Sequence, residues 1–249
     1  MIKVSFSKAK VFEDIVRMAS GLLEEAIFTL DEDGMTMRSM DPSRVALLDL
    51  DIPGSAFEVF EVDDTVKWGV NMERFAKILR RGSSGDTLVL SQESEDSLDI
   101  IFKGRAKRSF KLPLRDISED EQELPNVDST SRASIFADVL MESVKDASLV
   151  GDNLTFEMDS ETFRAAAHGN GQETNTELKK DDEALIELEV EENSKSTYGL
   201  SYLESMVKPM GKSDIVEIEL GSDMPLKIHY PIEDEGRLLF ILAPRIENE

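Results

Sequence analysis

The sequence predicts an α+β protein that consists of two domains with one topology. Along much of the chain apolar and polar residues alternate, which is the pattern of strands that bury one face. Only a few segments show apolar residues at helical spacing, and each of them is short. The order of strands and helices in the first half recurs in the second half at an offset of 128 residues.

The repeat is clearest in the first helix of each half. Residues 7–20 carry an apolar stripe that includes Phe12. Residues 137–148 carry a similar stripe, with Leu140 at the position that corresponds to Phe12. Two helices with matching stripes at one offset favour a duplicated domain over a single irregular one.

A second pair of helices and several strands complete the repeat. Asn71 is a favourable N-cap for a helix over residues 72–81, whose basic side is the most concentrated in the chain. The corresponding helix of the second half is predicted over residues 202–210. Short strands are predicted at residues 25–30, 57–59, 66–70, 87–90, 98–102 and 108–114.

Residues 35–51 have the pattern of a strand, a tight loop and a second strand. Asp41-Pro42-Ser43 is a turn signal, because proline fixes φ while Asp and Ser can hydrogen-bond their own backbone. The apolar residues Met40 and Val45 flank this turn. They could belong to a hairpin core or to the lip of a surface pocket, in which Met is an adaptable contact. The local sequence favours the hairpin core.

Residues 116–128 interrupt the pattern, since they lack periodicity, are strongly acidic and contain Leu124-Pro125. This composition predicts a connector between domains. We therefore place domain 1 at residues 1–115, the connector at 116–130 and domain 2 at 131–249. The connector could be a disordered linker, or Leu124 could be a docking side chain among the acids.

The composition limits the class of protein. The chain has 249 residues, of which 40% are hydrophobic, so a sizeable core can form. It has no cysteine, which excludes disulfides, and no apolar run long enough for a membrane span, so we expect a cytoplasmic protein. Its net charge of −24 repels nucleic acid on average. Because the acidic residues are spread evenly, this charge favours adaptation to high salt over an ordinary acidic cytosolic protein.

No catalytic or metal-binding pattern is found in the sequence. The two histidines, His168 in a turn and His229 in a strand, have no ligand neighbour at helical spacing, which predicts no metal site. Asp49 and Asp51 alternate with apolar residues and are expected on the solvent face of a strand, as are Glu187 and Glu189. We therefore expect a protein that is not an enzyme and that has no cofactor.

Three separated motifs resemble the sliding clamp family typified by proliferating cell nuclear antigen, and within it archaeal, salt-adapted members. Ser39-Met-Asp-Pro-Ser-Arg-Val-Ala-Leu47 is similar to the hallmark loop of the family. Residues 70–79 resemble its second helix, and residues 230–246 resemble its C-terminal strand with the Leu-Ala-Pro-basic ending. The connector and the two-domain repeat also agree with the family, so the resemblance covers the whole chain.

The resemblance implies two clamp domains of antiparallel sheets, a closed homotrimeric ring and a DNA polymerase processivity factor that encircles double-stranded DNA without reading sequence. The ring would be joined through edge strands at residues 108–114 and 174–179. Polymerase, clamp loader, flap endonuclease and ligase would dock through short motifs that combine Gln with apolar or aromatic residues, in replication and repair. No membrane partner is implied.

The resemblance also assigns two sets of residues by position. The DNA-facing cations would be Lys10, Arg17, Lys77, Arg80, Arg81, Lys145, Lys208 and Lys212. The pocket for partner peptides would be formed by Met40, Arg44, Val45, Leu47, Leu124, Pro125, Pro225, Ile241, Ala243 and Pro244.

The first helix departs from the family pattern, because Glu13 and Asp14 stand where lysines are usual. The departure leaves a second interpretation open, an acidic clamp-like scaffold or DNA mimic that does not encircle DNA. A mimic would not need the basic face formed by Lys77, Arg80 and Arg81, so that face favours the clamp.

Overall fold

The computed structural model describes residues 2–118, 122–207, 214–232 and 236–245. The chain divides into two compact units. Unit 1 consists of Met1–Pro42, Leu48–Gln122 and Pro231–Leu238, and unit 2 consists of Ser43–Leu47, Glu123–Tyr230 and Leu239–Glu249. Within the described ranges, every helix falls short of the length and apolar character that crossing a bilayer would require.

Unit 1 combines two short helices with antiparallel strands. The helices are α1 (Ala9–Ala19) and α2 (Met72–Leu79). The strands are β1 (Ile2–Phe6), β2 (Glu25–Leu30), β3 (Gly34–Met40), β4 (Ala46–Pro53), β5 (Val59–Glu61), β6 (Val66–Asn71), β7 (Thr87–Ser94), β8 (Ser97–Lys103) and β9 (Lys107–Pro113). One sheet has the order β5-β1-β7-β8-β9, so β9 is an edge, and β4, β3, β2 and β6 lie side by side in that order.

The core of unit 1 lies beneath the two helices. The Phe12 ring of α1 is 6.1 Å from Phe28 of β2 and 5.9 Å from Phe75 of α2, measured between ring centroids. Asn71 caps α2 as predicted, because its side-chain oxygen accepts a hydrogen bond from the backbone N–H of Arg74 at 2.9 Å. The apolar stripes of both helices therefore face one shared core.

Unit 2 repeats this arrangement. Its helices are α3 (Ala137–Ser148), which confirms the predicted bounds, and α4 (Leu200–Met206). The strands that follow in chain order are β10 (Ser131–Phe136), β11 (Asn153–Met158), β12 (Thr162–Gly169), β13 (Gln172–Lys179), β14 (Leu185–Val190), β15 (Ser194–Gly199), β16 (Ile215–Leu220), β17 (Leu226–Ile232) and β18 (Gly236–Leu242), of which the last two extend into unit 1.

The sheets of unit 2 follow the same plan as those of unit 1. One has the order β13-β12-β11-β15, so β13 is an edge, and β14, β10, β16 and β17 lie side by side. Phe156 of β11, which corresponds to Phe28 in the repeat, has its ring 6.1 Å from Tyr198 and 5.8 Å from Phe163. The predicted α+β class and the duplicated topology are confirmed.

Some predicted boundaries are wrong. Of the predicted strand at residues 57–59 only Val59 is in a strand, because a 3-10 turn occupies Gly54–Ala56 and β5 starts at Val59. Phe57 is buried, and its ring centroid lies 4.6 Å from that of Phe6 in the core. An apolar residue that is buried outside a strand can therefore be mistaken for a strand residue in the sequence. The helix predicted at 72–81 ends at Leu79, and the one predicted at 202–210 begins at Leu200, with residues 208–210 outside the described ranges.

Two polar residues also differ from expectation. His168 lies within β12 and not in a turn, since the turn is formed by Asn170 and Gly171 with φ angles of 51° and 76°. These positive angles are typical of a tight hairpin between β12 and β13. Asp49 is 4% exposed and not on a solvent face, because it pairs with the guanidinium group of Arg38 at 2.7 Å and with that of Arg237 at 3.3 Å.

Candidate functional site

The cations of α1 are bound by neighbouring carboxylates. Lys10 Nζ lies 2.8 Å from Glu13 Oε2 and 2.9 Å from Asp14 Oδ1, and Arg17 also pairs with Asp14. Glu13 and Asp14 are only 8% and 1% exposed, although they are charged and lie outside the apolar stripe of the helix. Two acids beneath the surface thus balance the two cations above them.

Burial also affects the ionisation of this cluster. It raises the pKa of Asp14, while Lys10 and Arg17 oppose that rise by stabilising the carboxylate. A carboxylate that has lost most of its water depends on these cations, because an unpaired buried charge is costly. Lys10 and Arg17 are therefore held to the protein and present less net charge than their number suggests.

The C-terminal end of α2 differs from α1. Lys77 pairs with Glu73 one turn earlier. Arg80 and Arg81 are exposed, and neither makes an ion pair with a residue that the structure describes. Arg80 and Arg81 are therefore less compensated by ion pairs than Lys10 and Arg17 of α1.

The second half contributes fewer described cations. Lys145 is exposed on α3 and pairs with Glu142 at 2.8 Å. Lys208 and Lys212 lie outside the described residues. Of the predicted DNA-facing cations, the structure therefore describes those on α1 and at α2 in unit 1 and Lys145 on α3 in unit 2.

The loop between β3 and β4 has a tight conformation. Arg44 adopts a φ of 58°, in the left-handed region that side chains other than Gly, Asn and Asp rarely occupy. Asp41, at the start of the loop, is buried. In unit 2, the carbonyl of Val45 accepts a hydrogen bond from the N–H of Ala243 at 2.9 Å. The hallmark loop and the segment after β18 are therefore in direct contact.

The predicted pocket residues differ in exposure. Leu47 and Ile241 are buried, and Arg44 and Pro125 are exposed. The half-buried members are Met40, Val45, Leu124, Pro225, Ala243 and Pro244. Met40 belongs to unit 1, and the other nine belong to unit 2. Half-buried apolar side chains beside an ordered loop can supply a contact surface for an apolar peptide.

Sequence reasoning missed the contacts that support this surface. The backbone N–H of Arg245 donates to the carbonyl of Thr197 at 2.7 Å, and the Tyr198 hydroxyl donates to the carbonyl of Met224 at 2.7 Å. Lys227 Nζ donates to the carbonyl of Val127 at 2.9 Å and so attaches the end of the connector to β17. Tyr198 is a buried residue of a strand, but the carbonyl that its hydroxyl contacts belongs to Met224, which is distant in the sequence.

Comparison with known families gives a match over nearly the whole chain. Residues 1–123 match the N-terminal domain and residues 124–245 the C-terminal domain of proliferating cell nuclear antigen. Proteins named DNA polymerase sliding clamp from Thermococcus onnurineus and Pyrococcus furiosus are 47% and 45% identical to this chain over 246 residues, with 99% of each chain covered.

Solved structures agree with these matches. Proliferating cell nuclear antigen from Thermococcus kodakaraensis superposes with a TM-score of 0.94 at 35% identity and covers 98% of this chain and 100% of its own. The structure of A. fulgidus PCNA with the C-terminal region of FEN-1 bound has a TM-score of 0.90 at 28% identity, with both chains fully covered. The chain belongs to the proliferating cell nuclear antigen family of sliding clamps.

Proposed function

We propose that this protein is a DNA polymerase sliding clamp, a homotrimeric ring that encircles duplex DNA and tethers replication and repair proteins. The observation that carries the proposal is the end-to-end match, at close to half identity, to proteins that bear this name. Function then follows from topology, since a closed ring stays on DNA without needing tight binding. That property suits a chain with a net charge of −24.

Two sheet edges support ring closure. Strands β9 and β13 are edges of their sheets, so each has backbone groups free to pair with another chain. The exposed residues of β9 include Lys107 and Lys111, while those of β13 include Glu173 and Glu177. A head-to-tail joint between β9 of one subunit and β13 of the next would pair opposite charges, and three such joints close a ring.

The helical cations would face the central hole. Phosphate contacts from Lys and Arg position a protein on DNA without reading its sequence. Because Lys10 and Arg17 are paired within α1, we assign the larger share of DNA contact to Arg80 and Arg81. An acidic mimic would not keep exposed, uncompensated arginines there.

Partner proteins would dock on the surface around Val45 and Leu124. The structure of the A. fulgidus relative with a FEN-1 segment supports a flap endonuclease as one partner. We extend this role to polymerase, clamp loader and ligase through short Gln-plus-apolar motifs. Loading would depend on a separate ATPase.

Several finer assignments belong to the same proposal. We place the clamp domains at residues 1–115 and 131–249, with residues 116–130 as the connector. We propose a cytoplasmic, archaeal protein without catalytic activity of its own. Adaptation to high salt rests on the evenly spread acidic charge alone.

Replacing Lys77, Arg80 and Arg81 together by Ser tests the DNA-facing assignment. We expect the trimer to persist while loading onto DNA or sliding along it is reduced, because each lost cation removes a phosphate contact and its counterion release. The slope of log affinity against log salt should become shallower by up to about 3 per subunit. The measurement is polymerase processivity and clamp retention over a range of salt concentrations.

The matched control replaces Lys103, Arg105 and Lys195 by Ser. These residues are also exposed, and their loss changes the net charge by the same amount outside the helices. Equal salt slopes for the two triple variants would contradict the assignment of the helical cations to DNA.

A further inference from the structure

One face of a sheet in unit 2 carries two rows of polar side chains across four strands. The pairing of β14, β10, β16 and β17 sets these rows, while Ile218, which lies between them on β16, is buried on the other face. The first row is Glu187, Ser134, Glu217 and His229, and the second is Glu189, Arg132, Glu219 and Lys227. Four carboxylates stand against two cations, which leaves two negative charges uncompensated.

Three side chains of this face converge. The ligand atoms of Glu217, Glu219 and His229 all lie within 4.8 Å of one another. Nε2 of His229 is 3.0 Å from Oε1 of Glu219. A zinc ion sits about 2.0 to 2.2 Å from an imidazole nitrogen or a carboxylate oxygen, so one ion can bridge atoms at this separation.

The imidazole nitrogen lacks another satisfactory partner. Nε2 of His229 is buried and makes no hydrogen bond of acceptable geometry to any described residue, although Glu219 is close. A buried polar atom without a hydrogen bond is costly. A bound cation would resolve the cost, because both the imidazole nitrogen and the carboxylate oxygen offer it a lone pair.

Surrounding groups hold the carboxylates in place. Lys227 Nζ pairs with Oε2 of Glu219 at 2.9 Å and leaves Oε1 toward His229, while Arg132 lies 3.7 Å from Glu217. Lys227 is itself anchored by the carbonyl of Val127. Supporting contacts of this kind orient the ligands of natural metal sites.

There is also room for water beside Glu219. A polar cavity of about 90 Å³ adjoins Glu219 and is lined by Ser129, Thr130, Ser131, Arg132, Glu189, Glu191 and Glu219. Waters in such a cavity could complete the coordination of an ion that has only three protein ligands.

We propose that Glu217, Glu219 and His229 bind one divalent transition-metal ion on this sheet face. Imidazole with carboxylates suits Zn²⁺ and its first-row neighbours. The sequence predicted no metal site because helical spacing does not reveal ligands that meet across two paired strands. The site uses none of the residues assigned to DNA or to partner peptides.

Calorimetric titration of the intact protein with zinc chloride tests the site. We expect one ion per chain, and at least about tenfold weaker binding after His229→Gln or Glu217→Gln, because each removes one ligand. His168→Gln is the matched control. His168 lies 3.6 Å from Glu173 and is 71% exposed, so it is a histidine–glutamate pair without the buried third group.

A measurement on the wild-type protein makes the test independent of variant folding. Zinc should shift the imidazole NMR resonances of His229 at lower concentration than those of His168. Absence of binding by the wild type, equal affinity of the wild type and both site variants, or a shift of the His168 resonances at the lower zinc concentration would each overturn the proposal.

Discussion

Reversing the charge of the β13 edge should convert the trimer largely to monomers. The change is Glu173→Lys with Glu177→Lys, which would place cations opposite Lys107 and Lys111 of β9 in the next subunit. Like charges brought together at an interface destabilise it strongly. We expect association to weaken at least about tenfold, which corresponds to about 1.4 kcal/mol. Light scattering over a concentration series measures the effect.

A charge swap separates this effect from loss of folding. Adding Lys107→Glu and Lys111→Glu to the reversed edge restores opposite charges and should restore the trimer. The swap is demanding because Glu177 also pairs with Arg164, and Lys111 with Asp99, inside each chain. A reversed edge that remains trimeric, or a quadruple variant that stays monomeric while folded, would argue against pairing of β9 with β13.

Truncating two apolar side chains of the docking surface should weaken partner binding. For Val45→Ala with Leu124→Ala, we expect a Gln-plus-apolar peptide to bind at least about tenfold more weakly, since truncating a buried anchor costs more than about 1 kcal/mol. The backbone bond between Val45 and Ala243 does not depend on the side chain and should persist. Titration calorimetry at high salt isolates the apolar contribution.

The control for this change is Ile186→Ala with Ile215→Ala. Both isoleucines are exposed, at 49% and 39%, on strands β14 and β16, outside the predicted surface. If the control loses as much affinity as the docking variant, or the docking variant binds like the wild type, the surface lies elsewhere.

The fold was predictable because the spacing of apolar residues in the first half of the chain recurs in the second half. The stripe with Phe12 and its counterpart with Leu140 identified α1 and α3, and Asn71 marked the start of α2. The predicted strand boundary was wrong at Phe57, because this residue is apolar without being in a strand. Its ring packs in the core next to that of Phe6. Local periodicity cannot distinguish a strand from a buried turn.

The candidate sites were less predictable than the fold. Asp49 was expected on a solvent face, yet it is buried and paired with two cations, as Asp14 is. Arg237, one partner of Asp49, lies far along the chain, so spacing gives no signal of the contact. The same limit hid the cluster around His229, which depends on the register of β16 and β17.

Retention on circular DNA tests most directly the central claim that this protein encircles duplex DNA. The clamp would be loaded by its loading ATPase onto a nicked plasmid and separated from free protein by gel filtration, before and after the plasmid is cut once. We expect the protein to elute with the circular plasmid and to be released when the DNA is made linear, because it slides off the ends. Equal retention on circular and linear DNA, or no retention on either, would contradict the claim.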